Sequence, residues 1–365
     1  MIISRISILN FKNIEEADLL FSPKMNYLFG NNGMGKTNLL DALYYLSFTK
    51  NQTNLFDSQL IKHDGDFCIL QGFYHEGDSL EEIYCGLKRK QKKIFKRNKK
   101  EYERLSEHIG LIPLVMVSPS DIDLIRGGSD ERRKFVDMLI CQYNKDYLHA
   151  LIRYNKALQQ RNSLLRNVVS NENDLYEIWE TTLASEGEFI HRTRMEFVSE
   201  FISVFKEYYR NISNETETID LQYDSQLNDA IFHVLLTEKR EKDKILGYTS
   251  TGVHKDDFRF LLDSYLIRKI GSQGQCKTYL IALKLAQFRF LVRKGSCLPI
   301  LLLDDIFDKL DADRVEQIIH LVSQPEFGQI FITDTNRKYL DEILKGIDHD
   351  YKLFQVNNGI INELK

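Results

Sequence analysis

The stretch Gly30–Asn38, "GNNGMGKTN", decides the fold. A glycine, four residues and then Gly-Lys-Thr is the spacing of a loop that cradles phosphates. Before it, "MNYLFG" (Met25 to Gly30) reads as a short strand. After it, Leu39, Leu40, Leu43, Tyr44 and Leu46 recur at helical spacing, so "LLDALYYLS" is expected to be an amphipathic helix. Strand, glycine turn and helix start therefore follow in the order that phosphate binding needs. Gly30, Gly33 and Gly35 permit positive φ and close backbone approach, so successive amides across Gly30, Asn31, Asn32, Gly33, Met34, Gly35 and Asn38 can turn toward an anion. The helix N-terminus adds partial positive charge. Lys36 supplies a point charge to terminal phosphates, and Thr37 a hydroxyl to Mg²⁺. A plain glycine-rich turn has no use for the Lys-Thr pair at this offset.

"PILLLDD" (Pro299 to Asp305) supplies a second half. Four large aliphatic residues in a row indicate a strand buried on both faces, as in a parallel sheet, and carboxylates at its C-terminal end lie where ligands bind in open α/β sheets. Asp304 is the expected Mg²⁺ residue, and Asp305 the expected group to orient or deprotonate an attacking water. "GSQGQ" (Gly271 to Gln275) opens a further helix expected from about Cys276 to Arg293, with Leu280, Leu283, Leu285 and Phe288 on its apolar face. Ser272, Gln273, Gly274 and Gln275 stand where a helix start can hold an anion, or where Ser272 is a simple N-cap.

Between these motifs the text is helical. Phe135, Met138, Leu139, Leu148, Leu151, Ile152 and Leu158 fall at three- and four-residue steps, and so do Leu175, Ile178, Trp179, Ile190, Phe197, Val198, Phe201 and Phe205. No heptad seam is sustained, so an extended coiled coil is not expected. Strand-like text returns at "FRFLLDSYLIRKI" (Phe258 to Ile270). The reading is an α/β fold, residues 1–118 and 246–365 forming two halves separated by a helical insertion at 119–245.

The 365 residues carry a net charge of −4, which argues against a uniformly basic nucleic-acid coat without excluding a local patch. Five cysteines, at 68, 85, 141, 276 and 297, never form C-x-x-C, which favours a reducing compartment and gives no zinc site. No apolar run is long enough to span a membrane, and "MIISRISILNFKN" alternates like a strand rather than a secretory leader. A cytoplasmic location is expected.

The ordered set of motifs resembles the RecF family of bacterial recombination-repair ATPases, which belongs with the SMC-like heads of the ABC class. The matching text is "LNFKNI" (Leu9 to Ile14), the Gly30 loop with its helix, "SPSDIDLIRGGSDERRKFVD" (Ser118 to Asp137), "YNKALQQRNSLLR" (Tyr154 to Arg166), "GVHKDDF" (Gly252 to Phe258), "GSQGQCKTYLIALKLAQ" and "PILLLDDIFDKLD" (Pro299 to Asp311). The resemblance implies an ABC-type ATPase head, a P-loop NTPase sheet with an N-terminal antiparallel β part, plus an inserted α-helical lobe. It implies ATP and Mg²⁺ as ligands, Lys12 and Asn13 near the nucleotide, and Asp305 with Lys36 as the catalytic pair. Ser272, Gln273, Gly274 and Gln275 would form a signature acting on the γ-phosphate held by a second copy, with Leu310 and Asp311 in a D-loop where the two copies meet. A homodimer with ATP, duplex or junction DNA, and the RecR and RecO mediators are the implied partners. Several positions depart from the family's usual text: Val253 and Lys255 replace Pro and Arg, Ser120 stands where an acid is common, "FTKNQTN" (Phe48 to Asn54) lacks the usual arginine, and "FITDTN" ends differently at Asn336.

In "KRKQKKIFKRNKK" (Lys88 to Lys100) nine of thirteen residues are basic: Lys88, Arg89, Lys90, Lys92, Lys93, Lys96, Arg97, Lys99 and Lys100. In an otherwise acidic chain this is the expected contact with a DNA backbone, read by charge and shape rather than by base; a solvated hairpin balancing "EYERLSEHIG" is the plainer reading. Arg126, Arg132 and Arg133 are further candidates. A transporter motor is disfavoured by the helical block between loop and signature and by the lack of a membrane segment. A chromosome-structure or zinc-hook head is disfavoured by the lack of heptads and C-x-x-C, and a small-molecule kinase by the signature and the Asp-Asp strand.

Overall fold

The computed structural model describes residues 1–53, 55–166, 173–213, 217–295, 297–307, 312–335 and 350–364. Its strands are β1 (Ile2–Phe11), β2 (Ile14–Leu20), β3 (Met25–Phe29), β4 (Phe67–Glu76), β5 (Ser79–Lys88), β6 (Ile94–Arg97), β7 (Lys100–Glu101), β8 (Leu114–Val117), β9 (Ile219–Asp224), β10 (Asp257–Leu262), β11 (Tyr265–Leu266), β12 (Ile300–Asp304), β13 (Ile330–Asp334), β14 (Tyr351–Asn357) and β15 (Ile360–Leu364). Its α-helices are α1 (Lys36–Phe48), α2 (Ile122–Arg126), α3 (Ser129–Tyr143), α4 (Lys145–Arg166), α5 (Asn173–Ser213), α6 (Phe232–Leu246), α7 (Ile267–Ile270), α8 (Gln273–Lys294) and α9 (Ala312–Val322).

Two compact units divide the chain: Met1–Asp121 with Ile281–Lys365, and Ile122–Leu280. The first contains two sheets. One is antiparallel, in the order β2-β1-β4-β5-β6-β7; the other runs β15-β14-β3-β13-β12-β8, parallel except for the β14–β15 hairpin. The parallel strands read as unbroken apolar runs because both their faces are covered: every residue of β8 and β12 is buried. In register, Asp304 on β12 lies beside Thr333 on β13, and Asp334 beside Phe29 on β3. The C-terminal ends of three central strands are thereby brought level.

Helix α1 departs from the amphipathic expectation. Eleven of its residues are buried, Lys36, Asp41 and Ser47 among them, and it packs against strands of both sheets. A helix enclosed on all sides hides its few polar groups only by pairing them, and Ser47 accordingly donates to the Ile112 carbonyl at 2.6 Å.

The second unit packs α3–α6 with the three-stranded sheet β11-β10-β9. Because β9 pairs antiparallel with β10, the strand after the helical block stays with it, and the unit boundary falls inside α8 rather than near residue 245. The "DSYLIRKI" end of the strand-like text is instead a turn, the short β11 and the helical α7. Helix α5 is 41 residues long, about 60 Å at 1.5 Å per residue. Its buried stripe starts at Tyr176 and Leu183, whereas Leu175 and Ile178 are exposed. The phase is set by Glu180, fully buried against Arg161 and Arg240; a buried acid on the core face is invisible to hydrophobic periodicity.

Arg161 and Arg194 hold this unit together. Arg161 is wholly buried and reaches Glu180, Asp243 and the Thr249 hydroxyl, the last two at 2.8 Å. Arg194 meets Asp137 and Asp256, both at 2.9 Å, and the Val253 carbonyl. A buried charge is tolerated only when its donors find acceptors, and both guanidiniums satisfy that condition.

Candidate functional site

The Gly30–Asn38 loop links β3 to α1, with Asn31, Asn32 and Gly33 exposed. Each glycine has its own reason. Gly35, the N-cap of α1, has φ +111, and a Cβ there would meet the Asn13 side chain at 2.7 Å; Gly33 has φ +79. Gly30 does not adopt positive φ; it is needed for space, since a Cβ would lie 2.3 Å from the Val356 carbonyl oxygen on β14. The Lys36 side chain curls under the loop, its Nζ donating to the Gly30 carbonyl at 2.7 Å and lying 3.9 Å from Asp305.

Opposite stands the end of β12. Thr37 Oγ1 lies 3.0 Å from each oxygen of Asp304, and Thr333 Oγ1 donates to the same carboxylate at 2.7 Å. Burial pushes the Asp304 carboxyl up to about 6, partly offset by hydrogen bonds from Thr333 and Thr37. Asp305 is more accessible and has φ +44, a left-handed conformation that aspartate tolerates better than most residues. Its N–H donates to Thr333 Oγ1 at 3.0 Å, so one threonine fixes both acids.

These groups fit a magnesium-bound polyphosphate. A hydroxyl and one buried carboxylate are the hard oxygens Mg²⁺ accepts from proteins when phosphates and water complete its shell. Glycine at 30 and 35 lets the loop backbone pack against Val356 and Asn13, where any Cβ would clash. Thr37 and Asp304 would hold the cation, and Lys36 with the loop amides the phosphates. Among the described residues no cluster of three or more His, Cys, Asp or Glu forms an all-protein metal cage.

Lys12 and Asn13 lie next to this loop. Asn13 Nδ2 donates to the Met34 carbonyl at 3.2 Å and its Oδ1 accepts from Asn38 at 2.7 Å. Lys12 is paired with Asp41 on α1, whose carboxyl burial pushes up. Sequence reasoning does not single out Asp41, because its partner comes from a different sheet edge.

In the second unit, Ser272 and Gln275 form a reciprocal cap on α8. The Ser272 N–H donates to Gln275 Oε1 at 2.7 Å, and the Gln275 N–H to Ser272 Oγ at 3.2 Å. Gln275 also donates to Glu217 at 2.6 Å. Ser272 and Gln273 are exposed, with Gly274 half-buried beside them. Leu310, Asp311 and Asn336 lie outside the described residues.

The basic stretch is the β5–β6–β7 edge of the antiparallel sheet, and its nine cations are not equivalent. Arg97 forms a two-point pair with Glu81, both contacts 2.7 Å. Lys93 is tied to the Thr49 carbonyl at 2.6 Å and to Asp57 at 3.1 Å. Arg89 binds the carbonyls of Gly65, Ser58, Lys62 and His63. Lys96 lies over the Tyr84 ring. Lys88, Lys90, Lys92, Lys99 and Lys100 are exposed. Arg132 and Arg133 are likewise committed, Arg132 to Asp257 at 2.7 Å and Arg133 to the Asp256 carbonyl at 2.5 Å; Arg126 is exposed.

Residues 2–362 match the RecF/RecN/SMC N terminal domain family. The chain is 66% identical to the DNA replication and repair protein RecF of Azobacteroides pseudotrichonymphae, over the whole of both chains. The chain belongs to the RecF family. RecF of Parabacteroides distasonis is 59% identical, again over both full lengths. Among solved structures, the recombination mediator protein RecF-ATP in the RecFOR pathway superposes with a TM-score of 0.89 at 29% identity, covering all of this chain and 98% of the other. The fold is accordingly the SMC/RecF ABC-type ATPase head.

Two departures from the RecF text find local explanations. Next to Ser120, Asp121 accepts from the Ser118 N–H at 2.8 Å and pairs with Lys284 at 2.9 Å, while Gln52 reaches it at 3.2 Å. The acid is thus present one residue later. In "GVHKDDF", the Val253 carbonyl accepts from Arg194 and Lys255 sits 5.1 Å from the Tyr248 ring centre. His254 accepts from the Tyr154 hydroxyl at 2.7 Å and donates to the Thr249 carbonyl at 3.0 Å.

Proposed function

We propose that this chain is an ATP-dependent DNA-binding protein of recombinational repair, in which ATP joins two copies head to head on DNA and hydrolysis releases them. The observation that carries this reading is the convergence of Lys36, Thr37, Asp304 and Asp305 at the level ends of β3 and β12. The relatives named RecF and the ATP-bound RecF of the RecFOR pathway support the same assignment. The head is assigned to Met1–Asp121 with Ile281–Lys365, and the inserted lobe to Ile122–Leu280.

Magnesium would neutralise charge on the phosphates and polarise the terminal one. The chain's residues do the rest. Lys36 exchanges its loop carbonyl for phosphate oxygen. Asp304 and Thr37 would hold the cation, and Asp305, close to Lys36 but more accessible than Asp304, would orient water for attack. Ser272 and Gly274, at the exposed start of α8, would meet the γ-phosphate held by a second copy, with Leu310 and Asp311 alongside. DNA would lie along Lys88, Lys90, Lys92, Lys99 and Lys100, and RecO and RecR would be partners in the cytoplasm. No described helix is long and apolar enough to cross a membrane.

The test is sizing of the full chain with and without ATP and Mg²⁺, together with ATP turnover with and without duplex DNA. A dimer confined to the ATP sample and turnover that rises with DNA are expected. A monomer under all conditions would sink the head-to-head reading.

A further inference from the structure

We propose that Phe56 is a stacking platform for an unpaired nucleobase, carried on a turn fastened to the basic hairpin; this rests on the DNA-binding reading above. Phe56 is 78% exposed. One exposed apolar side chain is ordinary in itself. What distinguishes this one is the hydrogen-bonded turn that carries it and the fastening of that turn to the basic hairpin.

The backbone on either side is held by side chains. Asn51 both donates to the Leu55 carbonyl, at 2.6 Å, and accepts from the Leu55 N–H, at 2.8 Å. The Phe56 N–H donates to Gln59 Oε1 at 2.9 Å. The following turn is then fastened to the hairpin. Asp57 accepts from Tyr45 at 2.7 Å and pairs with Lys93 at 3.1 Å, while Arg89 reaches the Ser58 carbonyl at 3.3 Å. The ring is therefore carried on a turn tied to Lys93 and Arg89 of the hairpin in which Lys88, Lys90 and Lys92 are exposed. Asp57, the acid next to Phe56 in sequence, is paired with Lys93.

An exposed apolar ring on a turn tied to a hairpin of exposed ammonium groups suits the alternation of base and phosphate in a single strand. An apolar protein surface would leave those ammonium groups without partners. A duplex keeps its base faces stacked within itself, so Phe56 can cover only a base that is unpaired or at an end. The site thus gives a DNA clamp a means of favouring a duplex with a single-stranded extension over an uninterrupted one.

The experiment measures binding of the full chain, with ATP and Mg²⁺, to a blunt duplex and to the same duplex with an overhang carrying 2-aminopurine at its first unpaired position. Phe56→Ala should weaken overhang binding by about fivefold to a hundredfold, the loss of one base–aromatic stack, and leave blunt-duplex binding within about twofold. Phe56→Trp should retain the preference and alter the 2-aminopurine emission more strongly than Phe56→Ala. Equal overhang affinity in Phe56→Ala, or equal losses on both DNAs, would overturn the proposal, as would a variant that spares both DNAs and loses only a protein partner. A triple change of Lys88, Lys90 and Lys92 to Ser separates the two levels. If it weakens both DNAs while Phe56→Ala changes neither, the stacking assignment alone fails. If the wild-type chain binds neither DNA, the DNA-binding reading fails and this one with it.

Discussion

Thr37 and Asp304 meet hydroxyl to carboxylate, 3.0 Å apart, from the first turn of α1 and the last residue of β12. Lys36, the cation next in sequence, is directed elsewhere, to the Gly30 carbonyl and toward Asp305. The two neighbouring acids are thus separated in environment, Asp304 enclosed between hydroxyls and Asp305 nearer to solvent and to the ammonium. That difference divides their expected roles.

Asp305→Asn should keep nucleotide binding and lose hydrolysis. The substitution preserves shape, and asparagine tolerates the left-handed backbone at this position. Turnover is expected to fall by on the order of 10²-fold or more, with the ATP-bound dimer persisting on a sizing column. Normal turnover would remove Asp305 from its role.

A shared site can be tested by mixing. Lys36→Ala should abolish nucleotide binding, and Ser272→Arg should leave ATP bound but block closure. Each variant alone is then inactive. A mixed dimer retains one intact pairing of Lys36 with Ser272, so up to about half of the sites recover if one bound ATP suffices for closure. DNA-stimulated turnover of co-purified mixed dimers is the readout; mixed dimers that close with their one ATP bound yet stay silent would count against a composite site.

Replacing Lys88, Lys90, Lys92, Lys99 and Lys100 with Ser should weaken DNA binding with little effect on folding. Each lost phosphate contact reduces the magnitude of the log–log salt slope by roughly 0.9 on duplex DNA. Lys93→Ser and Arg97→Ser should instead lower thermal stability, because their partners lie within the protein. A salt slope unchanged by the fivefold substitution would leave the hairpin a solvated edge.

His254 gives the inserted lobe an acid sensitivity. Burial lowers its pKa to about 4, mainly by penalising the charged form. Between an ordinary histidine value and about 4 the unfolded chain binds the proton and the folded chain does not, so stability falls with falling pH across that window and levels off below it. The loss is on the order of 3 kcal/mol. Denaturant unfolding of His254→Gln should show a flatter profile between pH 7 and about 4 than the parent.

Arg161→Ala should destabilise the lobe by about 3–5 kcal/mol, since it leaves Glu180 and Asp243 buried with less counter-charge. Chemical unfolding followed by Trp179 fluorescence would report it. A change below about 1 kcal/mol would mean that the network relaxes around the gap.

The legible parts of the site are those whose chemistry demands local spacing. Lys36 and Thr37 must follow the glycines, and Asp304 must end a buried strand, so both are readable from short stretches. Thr333 is not, because it reaches Asp304 and Asp305 through the parallel register of β13 on β12, a relation with no local signature. The nine cations of the hairpin look alike in sequence, yet Arg89, Lys93 and Arg97 are consumed by partners that only tertiary structure supplies. Periodicity misplaces the buried face only in the first turns of α5, where Leu175 and Ile178 are exposed and Glu180 lies inside, while Ile190, Phe197, Phe201 and Phe205 are buried as expected. Helix α1 looks amphipathic in sequence because its buried Asp41 counts as an outward-facing polar residue.

The phosphate loop is braced by the β14–β15 hairpin: the Gly359 N–H donates to the Met34 carbonyl at 2.8 Å, and Gly30 packs beneath Val356 with no room for a side chain. During synthesis residues 30–38 emerge from the ribosome long before residues 356 and 359. A nascent chain therefore carries the complete Gly-Lys-Thr motif while lacking the hairpin that shapes it. Nucleotide affinity should therefore arise late, once this hairpin has added to the sheet beside β3.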